Sequence, residues 1–182
     1  MLMLRFKLSV RSSLHTLAAV ILSVPLWTGS AFVYAQAVAR SYAGVVIRVV
    51  DGDTVWVKTA PGAEILKVRI VGIDAPEICQ SWGRDARAAL EHQILGQTVA
   101  LTVSKRRHDD YGRLLARIDL GADDVGRWMV VNGHAWSNGY GRQPGPYSAE
   151  QSQAQLAQRG LFADGAAELP RSFRKWHGSC HA

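Results

Sequence analysis

The chain lacks most of the short patterns that identify a nucleotide- or ester-processing enzyme by eye. It has no GxxxxGK[ST] phosphate loop, no GxGxxG fingerprint and no GxSxG elbow, which excludes P-loop, dinucleotide-fold and serine-hydrolase chemistry of the usual kind. It has no internal repeat and no low-complexity tract, so a solenoid or an extended polar linker is excluded. The second half of its 182 residues contains no twenty-residue apolar run, which excludes a spanning helix there. It has only two cysteines, too few for a cysteine-rich scaffold or an all-cysteine zinc site. His177, Cys180 and His181 lack a fourth ligand, and His108 and His134 have no partner at a catalytic spacing.

Acidic residues are also missing before Asp51, and this absence divides the chain. Arg5, Lys7 and Arg11 precede a mostly apolar run from Leu14 to Trp27, followed by the overlapping A-x-A sites Ala35-Gln36-Ala37 and Ala37-Val38-Ala39. Residues 1–39 read as a secretory signal peptide, the alternative being an uncleaved N-terminal anchor. Removing them takes away three cations and no anion, so the formal net charge falls from +6 to +3. A mildly basic exported chain, periplasmic or secreted, is compatible with a polyanionic substrate. Without the signal peptide it needs no stable membrane partner, and nothing in it requires a dimer. In an oxidising compartment the pair Cys79 and Cys180 is expected to form one disulfide. That bridge would close a loop of about 100 residues, worth about 4–5 kcal/mol in the chain-entropy account. It would also tie the C-terminal tail beside Glu77.

From Tyr42 the patterning becomes that of strands. Val45–Val50 is β-branched, Asp51-Gly52 is a hairpin signal, and Thr54–Lys58 alternates. Glu64–Ile73 is a third strand, Thr98–Val103 a fourth and Arg113–Ile118 a fifth, with Ser104–Asp110 as a charged loop. Ala86, Leu90 and Ile94 fall at i, i+4, i+8 of a helix over Trp82–Leu95, which Gly96 stops. Asp123 or Asp124 caps a short helix to Val131. Ser148-Ala149-Glu150-Gln151 has the spacing of a capping box and opens a helix to Arg159. The tail from Pro170 is basic and aromatic without periodicity. Three strands, a helix, two strands and two helices predict a five-stranded barrel of the OB type with about three helices packed on it, an α+β, mainly β fold. Residues 40–165 form this domain, and residues 166–182 a tail that the disulfide can tether.

Candidate chemistry centres on Val68-Arg69-Ile70-Val71-Gly72-Ile73-Asp74-Ala75-Pro76-Glu77. Alternation turns Arg69 away from Val68 and Ile70, and Pro76 ends the strand in a turn bearing Asp74 and Glu77. A cation and two anions on rigid backbone are suited to holding a metal and a phosphate together. Asp51-Gly52-Asp53-Thr54 adds carboxylates, and Asp110-Tyr111-Gly112-Arg113 adds a second arginine.

Together these segments resemble the staphylococcal nuclease (thermonuclease) family over about Ala43 to Phe162. The resemblance rests on Val50-Asp51-Gly52-Asp53-Thr54-Val55, on Arg69 followed by Asp74-Ala75-Pro76-Glu77, and on Asp109-Asp110-Tyr111-Gly112-Arg113. It implies an OB barrel with added helices that hydrolyses phosphodiesters of DNA, RNA or both, with Ca2+ or another divalent ion as cofactor. Carried over by position, it implies that Asp53, Asp74 and the backbone carbonyl of Ala75 bind the metal. It implies that Glu77 activates or positions water, and that Arg69 and Arg113 bind the phosphate. Tyr111, Tyr140 and Lys105 are candidate substrate contacts. Ala75 and Asp110 depart from the prototype, which has threonine and lysine there.

Each motif has a plainer explanation. Asp51-Gly52-Asp53 can be only a hairpin, Tyr111-Gly112-Arg113 only a turn, and Arg69 only an ion-pair partner for Glu64 or Glu77. Trp136 is packing, with base stacking as the alternative reading. The combination of five residues in matching roles favours an exported nuclease. A catalytically weak OB-fold module that binds nucleic acid is the other class, favoured by the two departures.

Overall fold

A computed structural model describes residues 41–139, 141, 143–163, 165, 167–178 and 180. The expected signal segment 1–39, together with Tyr140 and His181, lies outside the described residues.

Strands are β1 (Ser41–Val49), β2 (Thr54–Lys58), β3 (Ile65–Ile70), β4 (Ile73–Asp74), β5 (Thr98–His108), β6 (Leu114–Leu120), β7 (Asp123–Asp124) and β8 (Trp136–Ser137). Helices are α1 (Gly83–Ile94), α2 (Val125–Val131), α3 (Ser148–Leu156) and α4 (Pro170–His177), with a 3-10 turn at Gly160–Phe162. Antiparallel neighbours run β3-β2-β1-β5-β6, and β3 then pairs with β6 in parallel, Val68 opposite Leu114 and Ile70 opposite Ala116. This last pairing closes a five-stranded barrel, the expected OB-type architecture.

Period-two patterning builds it. Val46, Val49, Val55, Val57, Val68, Ile70, Leu101 and Ile118 point inward and are fully buried, each such side chain contributing about 1.5–3 kcal/mol. Helix α1 covers one end of the barrel with Ala86, Leu90 and Ile94, all fully buried. Gly52 is pressed beneath it. A Cβ there would lie 2.6 Å from the Ala75 Cβ and 3.0 Å from the Ala86 Cβ. That approach brings the β1–β2 turn against the loop after β4.

Four expectations need correction. The third strand stops at Ile70, because Gly72 takes a positive φ of 80° and turns the chain before β4. The charged segment after Val103 is extended rather than looped: β5 continues to His108, with its register against β6 broken between Val103 and His108. The capping box does not form. Tyr147 is the N-cap, without a side-chain bond, and Glu150 instead accepts from Arg127 at 2.8 Å. The tail is helical, Pro170 standing at its first turn where the missing N–H costs nothing.

Candidate active site

The β1–β2 turn sets the first carboxylate. Asp51 accepts from the backbone N–H of Asp53 at 2.9 Å, which locks the turn. Asp53 Oδ2 accepts the Ala75 N–H at 3.0 Å, joining this turn to the loop after β4. Thr54 donates to Asp53 Oδ1 at 3.1 Å.

Arg69 on β3 is the hub. Its guanidinium lies 2.8 Å from Asp53 Oδ2 and donates to Asp74 Oδ1 at 3.1 Å. It also donates to the carbonyls of Ile70 at 3.0 Å and Ile73 at 3.1 Å. Its ion pairs are therefore with Asp53 and Asp74, not with Glu64 or Glu77. Asp53 and Asp74 are only 6% and 7% exposed, and Arg69 provides the cation that such buried anions require.

Glu77 stands on a loop fixed by Gln80. The Glu77 N–H donates to Gln80 Oε1 at 3.1 Å, and the Gln80 N–H donates back to the Glu77 carbonyl at 2.8 Å. The Gln80 amide then donates to the Glu168 carbonyl at 2.8 Å. Opposite, Arg113 just before β6 donates to Asp109 Oδ2 at 2.7 Å and to the Thr54 hydroxyl at 3.1 Å. Its guanidinium lies 5.4 Å from the centre of the Tyr111 ring, which is 81% exposed.

These groups surround one cavity of about 400 Å³ whose wall includes Asp51, Asp53, Arg69, Ala75, Glu77, Tyr111, Arg113 and Arg174. A second groove of about 450 Å³ shares Asp51, Tyr111 and Arg113 with it and continues over Thr54 and Trp56 to Arg48 and Lys67. Arg48 and Lys67 are cross-strand neighbours of Trp56, their charged ends 4.8 Å and 5.7 Å from its ring centre.

Electrostatics follow from the burial. Burial, then the neighbouring Asp53 charge, pushes Asp51 up to about 7. Burial also raises Asp74, against the pull of Arg69. Burial raises Asp109, but the hydrogen bonds and charge of Arg113 together with the Tyr111 N–H lower it more, so this carboxyl ends below its ordinary value.

The fit to a metal is set by donor chemistry. Among the described residues no group of three or more His, Cys, Asp or Glu is arranged as a metal cage. Asp53, Asp74 and the Ala75 carbonyl would offer oxygen donors only, the type a hard divalent cation takes, and in this structure the two carboxylates are engaged by Thr54, the Ala75 N–H, Arg69 and Arg174.

Of the residues singled out from sequence, Asp53, Arg69, Ala75, Glu77, Tyr111 and Arg113 share the cavity. Asp74 joins it through Arg69. Lys105 is exposed on β5 and is not part of the cavity wall. Trp136 packs edge-on to Phe162, with ring centres 4.8 Å apart. Cys79 and Cys180 are bonded, their Cα atoms 5.9 Å apart.

Sequence reasoning missed Arg174. It donates to Glu77 Oε1 at 2.7 Å and lies 3.3 Å from Asp74 Oδ2. The available signals were Pro170, which can open a helix, and the cysteine pairing, which places this tail near Glu77.

Comparison with known proteins finds related nucleases and endonucleases. The family described as staphylococcal nuclease homologue matches residues 67–164. An uncharacterized endonuclease of Escherichia coli O157:H7 is 36% identical over 123 residues, 66% of this chain and 77% of that one. A micrococcal nuclease of Shigella flexneri is 29% identical over 184 residues, 91% of this chain and 96% of its own. A probable staphylococcal-like nuclease of Oryza sativa subsp. japonica is 34% identical over 110 residues, 60% of this chain and 28% of the longer plant protein.

Proposed function

This chain belongs to the family of staphylococcal nuclease homologues and is a hydrolytic nuclease, and we propose that it is an exported, monomeric, calcium-assisted phosphodiesterase acting on DNA, RNA or both. The observation that carries the reading is the single cavity walled by Asp53, Glu77, Arg69 and Arg113.

Asp53, Asp74 and the Ala75 carbonyl would hold the cation, which supplies Lewis-acid stabilisation of the charge that builds on the phosphate oxygens. Arg113, held by Asp109 and Thr54, directs its guanidinium to a phosphate oxygen. Arg69 is anchored along one edge by Asp53 and Asp74 and offers its other edge to the phosphate. A planar fork binds phosphate oxygens in pairs, which a lysine cannot do. Arg174 engages Glu77 Oε1, and Glu77 Oε2 orients the attacking water and accepts its proton. Tyr111 presents an exposed ring at the cavity rim, suited to a base face. Positioning and electrostatics supply most of the acceleration in such a reaction. The disulfide supports residence in an oxidising compartment, periplasmic or extracellular.

The test is to incubate the purified chain with single-stranded DNA, duplex DNA and RNA, adding calcium, magnesium or a chelator, beside Glu77→Gln. Cleavage that requires the cation and falls by orders of magnitude in the variant is the expected result. Tight oligonucleotide binding without turnover would instead make this a binding module.

A further inference from the structure

Resting on the nuclease reading, we propose that Arg174 is a third arginine of the active site. It is a positioning residue, delivered from the C-terminal helix by the Cys79–Cys180 disulfide, that holds Glu77 in the orientation its work on water requires.

Geometry places it there. The Arg174 guanidinium spans two carboxylates, donating to Glu77 Oε1 at 2.7 Å and lying 3.3 Å from Asp74 Oδ2. It forms part of the wall of the cavity rather than filling it. A guanidinium is permanently charged and has no lone pair to offer, so it orients Glu77 without exchanging a proton with it. Engaging one oxygen at hydrogen-bond distance fixes the carboxylate while leaving the other oxygen for water.

The way α4 is attached points the same way. Packing does little to hold this helix: Pro170 is its one buried residue, and Trp176 is 73% exposed. Two tethers hold it instead. Gln80 donates to the carbonyl of Glu168 just before the helix, and Cys79 is bonded to Cys180 just after it. Both tethers come from adjacent residues on the loop that carries Glu77. The tail is thus clasped at each end to the segment whose carboxylate it contacts, so Arg174 moves with Glu77. A helix kept only for surface packing would need neither the double clasp nor an inward cation. Charge balance adds a reason. Asp51, Asp53 and Glu77 line the cavity, Asp74 adjoins them, and the barrel itself contributes Arg69 and Arg113, the latter already paired with Asp109.

The experiment measures kcat and KM on a short fluorescent oligonucleotide, well below the melting temperature. It compares the unmodified chain with Arg174→Ala, Arg174→Lys, Cys79→Ser/Cys180→Ser, and the triple variant, with Lys175→Ala as control. Arg174→Ala is expected to lower kcat about 100-fold with KM little changed, the size of effect expected from misplacing a reacting group by about 1 Å. Lysine should restore part of it, since it keeps the charge but cannot span both carboxylates. Loss of the disulfide should lower kcat similarly, and adding Arg174→Ala to it should change nothing more. Lys175→Ala should match the unmodified chain. An Arg174→Ala enzyme as fast as the unmodified one, or faster, would overturn the proposal, the faster result showing that Arg174 obstructs Glu77. Losses that multiply in the triple variant would also overturn it, because the disulfide would then act other than through Arg174. An inactive unmodified chain overturns the nuclease reading and this proposal together, whereas an active one with an unaffected Arg174→Ala overturns this proposal alone.

Discussion

Replacing Gly83 with alanine should disable the enzyme from beneath the active site, without touching a side chain of the cavity. Gly83 opens α1 directly under the Glu77 backbone. A Cβ there would stand 1.8 Å from the Glu77 carbonyl oxygen, 2.7 Å from its carbon and 3.0 Å from Ile78 Cα. Real Cβ contacts stay outside 3.0 Å, so at least 1.2 Å must be found. The helix cannot supply it, because Ala86, Leu90 and Ile94 are completely buried in the barrel end. The loop must give way, taking with it the Gln80 N–H bond to the Glu77 carbonyl at 2.8 Å. Overpacking of this kind costs about 1–3 kcal/mol, which lowers the melting temperature of a domain this size by about 2–10 °C. Shifting Glu77 by about 1 Å should reduce kcat about 100-fold. The assay pairs a circular-dichroism melt with steady-state cleavage of a short oligonucleotide in the same buffer. Helix propensity alone expects the reverse. The Gly83 φ lies outside the positive-φ set, so alanine should stabilise by about 0.4–1 kcal/mol. An alanine variant with unchanged kcat and a raised melting temperature would refute the steric reasoning.

Arg69→Ala should cost stability as well as activity, about 3–5 kcal/mol by urea unfolding, because it leaves Asp53 buried without its cation and Asp74 with Arg174 alone. Millimolar calcium should restore part of that loss, and a variant as stable as the parent without calcium would contradict the hub role. Trp56→Ala should raise KM about fivefold for a long single strand, the value of about 1 kcal/mol for one stacked base. A dinucleotide substrate should be unaffected, and equal losses on both would remove the groove from the substrate path. His134 accepts the Trp82 indole N–H at 3.2 Å and lies between the Trp82 and Trp128 rings, and burial holds its pKa below the usual 6.5. The unfolded chain therefore protonates first, so this contribution is complete above about pH 6.5 and is lost as the pH falls through that value toward the lower folded one. Asp51, pushed up to about 7, contributes in the opposite direction over the same window, so the His134 part is read as a difference. From about pH 7.5 to about pH 5 the melting temperature of the parent should fall relative to that of His134→Phe, and an identical pH dependence in the two would assign the effect elsewhere.

The barrel was legible wherever one face of a strand is buried. Val55 and Val57 alternate with half-buried Trp56 and exposed Lys58, and that alternation is a local signal. The same rule hid the end of β5, because Lys105–His108 are exposed on both faces and leave no period to read. The β3–β6 pairing has no local sign at all, since it joins segments far apart in the chain, Val68 with Leu114. In the site, Arg69, Asp74 and Glu77 come from one short stretch, and the hairpin that supplies Asp53 announces itself. Arg174 reaches Glu77 across 97 positions. The cysteine count places the tail beside the site but does not choose among Arg171, Arg174 and Lys175. That choice is made by the helical turn of α4, whose inward position a sequence period cannot show in so short a helix. Arg69 was identified, yet its four partners depend on how the β1–β2 turn comes to lie against the stretch from Ile70 to Asp74.

The parallel seam between β3 and β6 also sets when the two arginines can first meet. Arg69 lies on one side of it and Arg113 at the mouth of the other, with Arg69 in register with Leu115. Hairpins β1–β2 and β5–β6 can form early from near neighbours, whereas the seam, like the β1–β5 pairing, requires a long loop to close first, the slow kind of step. Until it does, Arg69 and Arg113 are not held beside one another. The two arginines proposed to bind phosphate are therefore brought together by closing the barrel along this seam.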